Sequence, residues 1–158
     1  MKLSSYEIHC HLLPGVDDGF RDESSSLKAI GRMMEEGTRS IVFTPHMNPD
    51  VYPDTTEALL QETYASFREK LPSGLETHLA AEYMIVNGFD DKVAEHPESL
   101  LVFPDNSILV EMSYYFRSQN LESTIFNLNI LAVDICARAA VDIGAGAAVD
   151  VTAGAAFR

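Results

Sequence analysis

A chain of 158 residues, 46% apolar and 22% charged, has the length and composition of one globular domain, too apolar for a disordered chain and too short for two cores. Lys and Arg number 11 against 24 Asp and Glu, and the resulting net charge of -13 argues against nucleic acid or an anionic membrane as partner, because both reward clustered basic groups. Two widely spaced cysteines, Cys10 and Cys136, exclude a disulfide framework and a CxxC zinc module.

The first stretch with strand character is Tyr6 to Cys10. A helix is expected from Ser24 to Glu36, with Leu27, Ile30 and Met34 on one face, a polar start at Asp22 to Ser26 and Gly37 as its stop. Arg39 to Thr44 is rich in β-branched and aromatic residues and reads as the second strand. Thr56 to Leu71 reads as the second helix, with the stripe Leu60, Tyr64, Phe67 and Leu71, an N-cap at Thr55 or Thr56, and Pro72 after it. A third strand is expected over Leu75 to Ala81 and a short helix over Val86 to Glu95, which Pro97 ends. Ile108 to Met112 reads as the fourth strand, and Gln119 to Ile130 as the last helix, aligned on Leu121, Ile125 and Leu128.

This alternation of strand and helix implies an α/β fold with parallel strands and right-handed crossovers. Four such units make about half of an eight-unit barrel. From Leu131 to Arg158 the composition changes to a near-tandem eight-residue unit that repeats Asp134, Asp142 and Asp150 at the same place. Its dominant residues, Ala, Val, Asp and Gly, bury little area and share a codon first base, as repetitive or out-of-frame DNA would give. Residues 131–158 are therefore read as a weakly ordered tail behind a domain at 1–130. The start carries one Lys and no apolar run of signal-peptide type, and no stretch reaches the about 18 apolar residues that span a bilayer, so the expected location is the cytoplasm.

In a βα barrel, chemistry gathers at the carboxyl ends of the strands. Each expected strand delivers a potential metal ligand there: His9 and His11 with Asp17 and Asp18 after the first, His46 after the second, Glu82 after the third and Glu111 in the fourth. His9 and His11 are two apart, so on an extended chain both rings project to one side. A His, Asp and Glu set without thiolate suits manganese, iron or zinc better than calcium. Singly, each residue has an ordinary explanation. A lone His-x-His is common chain, His46 could cap a turn, and Glu82 and Glu111 could mark strand ends at the solvent. Their joint placement at successive strand ends points to a metal site. Cys10 faces away from the two histidines and reads as packing rather than nucleophile. His78 alternates within a strand, Glu23 to Ser26 is a helix start, and Tyr114, Tyr115 and Phe116 read as packing.

The run His9-Cys10-His11-Leu12-Leu13-Pro14-Gly15-Val16-Asp17-Asp18-Gly19 resembles the opening of the PHP-family (polymerase and histidinol phosphatase) bacterial protein-tyrosine phosphatases, enzymes tied to capsule and exopolysaccharide production. Thr44-Pro45-His46 resembles their second motif, Ala81-Glu82-Tyr83 the third and Leu109-Val110-Glu111 the fourth. Asn48-Pro49 and Tyr52 fit the loop after the second. The likeness covers residues 5 to about 130, the family's N-terminal half.

The resemblance implies a distorted (βα) barrel, present here as about four units, and a three-metal cluster, commonly manganese, with other divalent transition metals as alternatives. It implies that His9, His11 and Glu82 hold one ion, that Glu82 bridges to a second shared with Glu111, and that Asp18 and His46 hold a third. Catalysis would centre on Glu82 and His46. The implied reaction is phosphoester hydrolysis by metal-activated water, with no cysteine nucleophile. The implied substrate is a phosphotyrosine protein, such as the tail of a bacterial tyrosine kinase.

The sequence also departs from the family. Glu7 stands where Asp is usual, and the later His-Pro-Glu-Arg and Asp-x-His motifs do not occur; His96-Pro97-Glu98-Ser99 precedes the fourth strand and lacks the Arg. The alternative readings are an inactive or metal-binding fragment of that family, or a relative acting on a small phosphoester such as histidinol phosphate. A barrel left open exposes a parallel strand edge, which favours self-association into a homo-oligomer.

Overall fold

The computed structural model describes residues 5–86, 88–113, 121–130 and 134–138. Strand β1 is Ser5–Cys10, β2 is Thr38–Phe43 and β4 is Glu76–Leu79, and these form a parallel sheet in the order β1-β2-β4. Strand β3 is His46–Met47, β5 is Glu82–Met84, β6 is Ser107–Glu111 and β7 is Asp134–Arg138, forming a second parallel sheet in the order β3-β5-β6-β7.

The two sheets are halves of one wrapped surface. β2 passes into β3 across Thr44-Pro45, and β4 passes into β5 across Ala80-Ala81. Hydrogen bonds carry the ladder round these corners: Ala80 N–H donates to Phe43 C=O at 2.9 Å, Ala81 N–H to Leu101 C=O at 3.1 Å, and Glu82 N–H to Pro45 C=O at 3.0 Å. Two strands thus bend from one sheet into the other, giving an open, distorted barrel arrangement of the α/β class expected.

Helix α1, Glu23–Glu36, begins where the Asp22 side chain accepts from Ser25 N–H. It ends at Gly37, whose φ of 126° is a conformation that a side chain would oppose. Helix α2, Glu57–Arg68, is capped by Thr56, which accepts from Leu59 N–H. Its stripe packs as expected, with Leu60 and Phe67 buried and Phe67 meeting Phe43 of β2 edge-on at 6.1 Å. Helix α3 is Phe89–Glu95, followed by a 3-10 turn at Pro97–Ser99, and helix α4 is Leu121–Ile130. The core is continuous from Leu13, Ile30 and Phe43 through Tyr83 and Ile108 to Leu128, all at most 1% exposed. Full burial of such a side chain contributes roughly 1.5–3 kcal/mol.

Two findings go beyond the sequence reading. The second and third expected strands, seen as β2 and β4, are each followed past a corner by a short further strand, β3 and β5, that the sequence reading did not contain. Within the span read as a weakly ordered tail, Asp134–Arg138 forms β7, paired along its whole length with Ser107–Glu111 of β6. The apolar edge of β6 supplies the template that the Ala-rich repeat lacks. Residues 139–158, and Tyr114, Tyr115 and Phe116, lie outside the described residues. Among the described residues no helix is long and apolar enough to cross a membrane.

Candidate metal centre

All six residues expected to hold metal come together. They form three overlapping groups, His9–His11–Glu82, His11–Asp18–His46 and His46–Glu82–Glu111, in which the ligand atoms lie within 4.8 Å of one another. The fold explains the convergence. The register between β1 and β2 slips between Glu7 and Cys10, a bulge that sits beside His9. His46 opens β3 and Glu82 opens β5, just past the two corners, and they are register partners. Glu111 closes β6.

His9 Nε2, His11 Nε2 and Glu82 Oε2 form a triangle with edges of 3.2, 3.3 and 3.4 Å. Donor atoms about 2.1 Å from a shared ion lie about 3.0–3.4 Å apart at octahedral or tetrahedral angles, so the triangle has the size that chelation requires. The same Glu82 oxygen is 3.2 Å from His46 Nδ1, and that nitrogen is 3.4 Å from Glu111 Oε2. His46 Nε2 lies 3.7 Å from Asp18 Oδ1. Glu82 Oε2 and His46 Nδ1 are buried and have no hydrogen-bond partner. Such atoms are costly in a dry interior unless something satisfies them, and a divalent ion does.

Charge is arranged to match. Burial works to raise the Glu82 carboxyl, but His11, His9 and His46 together outweigh it and hold it below its ordinary value. His11 is raised from 6.5 to about 9, first by its hydrogen bond to Asp17 and then by Glu82. Asp17 is lowered: burial opposes the charge, but His11 and the backbone N–H groups of Gly19 and His46 prevail.

Asp17 and Tyr52 have other parts than the sequence reading gave them: Asp17, expected among the potential metal ligands, belongs to none of the three groups. Asp17 accepts from His11 Nδ1 at 2.8 Å and from the His46 N–H at 3.0 Å. Tyr52 stacks on His46, with ring centroids 5.9 Å apart and planes 14° apart. The sequence signal for Tyr52 was its place in the resembling motifs, whereas Asp17 also stood out as a carboxylate just after the first strand. Cys10 behaves as packing: its thiol donates to Val42 C=O at 3.4 Å, and burial pushes it up to about 12. His78 is partly exposed on β4, 3.3 Å from Glu76, and His96 is exposed 3.6 Å from Glu98.

Comparison with known proteins agrees with this geometry. Residues 5–133 match the capsular polysaccharide synthesis family CpsB/CapC. The tyrosine-protein phosphatase YwqE of Bacillus subtilis (strain 168) is 26% identical over 127 residues, which cover 78% of this chain and 49% of that protein. Crystal structures of YwqE from Bacillus subtilis and CpsB from Streptococcus pneumoniae, described as unique metal-dependent tyrosine phosphatases, include a chain that superposes with a TM-score of 0.71 at 26% identity, over 84% of this chain and 54% of that one. The chain spans about half the length of the relatives it matches.

Proposed function

We propose, since this chain belongs to the capsular polysaccharide synthesis CpsB/CapC family, that it is built for metal-dependent hydrolysis of phosphotyrosine in proteins. The observation that carries the reading is the triangle of His9, His11 and Glu82, joined through Glu82 to His46 and Glu111. Manganese is the proposed metal, on the hard and borderline character of the donors. Divalent ions held there would supply the Lewis acidity that activates water and offsets charge on phosphoryl oxygens.

The chain's own residues have distinct tasks. His9, His11 and Glu82 would hold one ion, Glu82 and Glu111 a second with His46 adjacent, and Asp18 with His46 and His11 a third. Glu82 is common to the first two groups, so it fixes their separation. Tyr52 lies nearly parallel to the His46 ring, with centroids 5.9 Å apart, and packs beside that ligand. The net charge of -13 repels a phosphorylated substrate, and the bound ions would reverse that field locally. A phosphotyrosine segment, such as a bacterial kinase tail, fits this reading, as does work within capsule or exopolysaccharide production.

The second reading is that this span of the family binds metal without turnover, since the chain spans about half the length of the relatives it matches. Manganese-dependent hydrolysis of a phosphotyrosine peptide by the purified chain separates the two. Turnover that disappears in the double variant His9→Ala/His11→Ala supports the phosphatase. Metal binding without turnover by the folded chain supports the second reading.

A further inference from the structure

Asp17 and Asp18 are chemically identical neighbours, yet the fold uses them in opposite ways. The Asp18 side chain is 65% exposed and reaches toward His46 Nε2. The Asp17 side chain is fully buried and belongs to none of the three ligand groups. Its oxygens are taken up by the protein itself. Oδ2 accepts from His11 Nδ1 at 2.8 Å and from the His46 backbone N–H at 3.0 Å, and Oδ1 accepts from the Gly19 N–H at 2.9 Å.

We propose that Asp17 is a positioning residue that fixes the ring of His11 and the backbone of His46 together, so that one buried carboxylate sets the geometry of all three ligand groups. A carboxylate on Nδ1 holds the ring proton there and leaves Nε2 to face the centre, in the orientation observed beside Glu82. The bond to His46 acts at the corner after Pro45, where the chain leaves one sheet for the other. His11 and His46 each belong to two of the three groups, and every group contains at least one of them. The loop geometry supports this use. Gly15 N–H donates to Phe20 C=O at 2.7 Å, closing the turn that carries Asp17 back over His11.

This inference rests on the proposed metal centre for its consequence, and its test separates the two. Manganese titration of the full chain gives the number of bound ions and their affinity. Asp17→Asn is expected to bind as many ions as the wild type at saturation, with affinity about 10–100-fold weaker. Asp18→Ala, which removes a ligand, is expected to lose an ion even at saturation. Wild-type affinity in Asp17→Asn, or loss of an ion at saturation, would overturn the positioning role. The 15N ring shifts of neutral His11 in the metal-free wild-type chain give an independent readout that needs no variant to fold. A proton on Nδ1 is expected, and a proton on Nε2 overturns the proposal. A wild-type chain that binds no manganese would sink the functional reading, while the ring shifts would still decide the role of Asp17.

Discussion

His46 and Glu82 are register partners across β3 and β5, and their side chains meet with Nδ1 3.2 Å from Oε2, both atoms buried and neither hydrogen-bonded. An unsatisfied buried polar atom costs about 1–3 kcal/mol. The two face each other where two ligand groups join; the surrounding imidazoles offset part of that cost at Glu82, and a cation held between the ligand atoms would satisfy both.

The overlap of the groups predicts an order of effects. Glu82, His11 and His46 each serve two groups, whereas His9, Asp18 and Glu111 each serve one. Glu82→Gln is therefore expected to lose more bound manganese than Glu111→Gln, measured by elemental analysis of the folded proteins after dialysis. Equal losses would count against Glu82 as the shared ligand.

The raised His11 value predicts how the metal-free chain responds to pH. In the folded state this imidazole keeps its proton up to about 9, against 6.5 for an unstrained ring. Its contribution to stability is fully present below 6.5 and is lost as pH rises from 6.5 through about 9. Urea melts in chelator should show stability falling over that window, by at most about 1.4 kcal/mol per pH unit from this one group. Metal affinity should move the other way. An ion must displace the proton, so binding tightens by up to about tenfold per pH unit over the same window. A flat manganese affinity from neutral pH to pH 9 would contradict the assignment.

Cys10 lies between His9 and His11 in sequence but takes no part in their chemistry. Burial pushes its thiol up to about 12, so almost no thiolate is present at neutral pH. Iodoacetamide should leave Cys10 unmodified in the folded chain, as peptide mass mapping would show, and Cys10→Ala should retain any hydrolytic activity. Rapid alkylation of the native protein would refute this.

Much of the architecture was legible because local signals agreed with the global fold. Asp22 and Thr56 mark helix starts and both cap, and the Leu60–Phe67 stripe is buried where its period places it. The corners at Thr44-Pro45 and Ala80-Ala81 were not legible, because their bonds go to Cys10, Phe43 and Leu101, partners far off in sequence. β7 was hidden for a related reason: its pairing is dictated by the Ile108–Val110 edge and not by its own composition. The ligand residues stood out by type and by position at strand ends. The separate jobs of Asp17 and Asp18 did not, since burial alone distinguishes them.

Two glycine substitutions give opposite outcomes from the same added methyl group. At Gly31, inside α1, a Cβ would meet nothing within 4 Å. Gly31→Ala should therefore stabilise the chain by about 0.5–1 kcal/mol, because alanine loses less backbone entropy in a helix. At Gly19 a Cβ would fall 2.0 Å from the His11 carbonyl oxygen and 2.8 Å from the His11 Cβ. Neither neighbour is the free end of a flexible side chain, so the backbone of the ligand itself must move. That movement would also shift the Gly19 N–H that holds Asp17. Gly19→Ala should be destabilised by about 1–3 kcal/mol or more and should bind manganese more weakly than Gly31→Ala. Thermal melts and metal titrations of the two variants make the comparison, and a Gly19→Ala chain as stable as the wild type would show that the turn is not packed against His11.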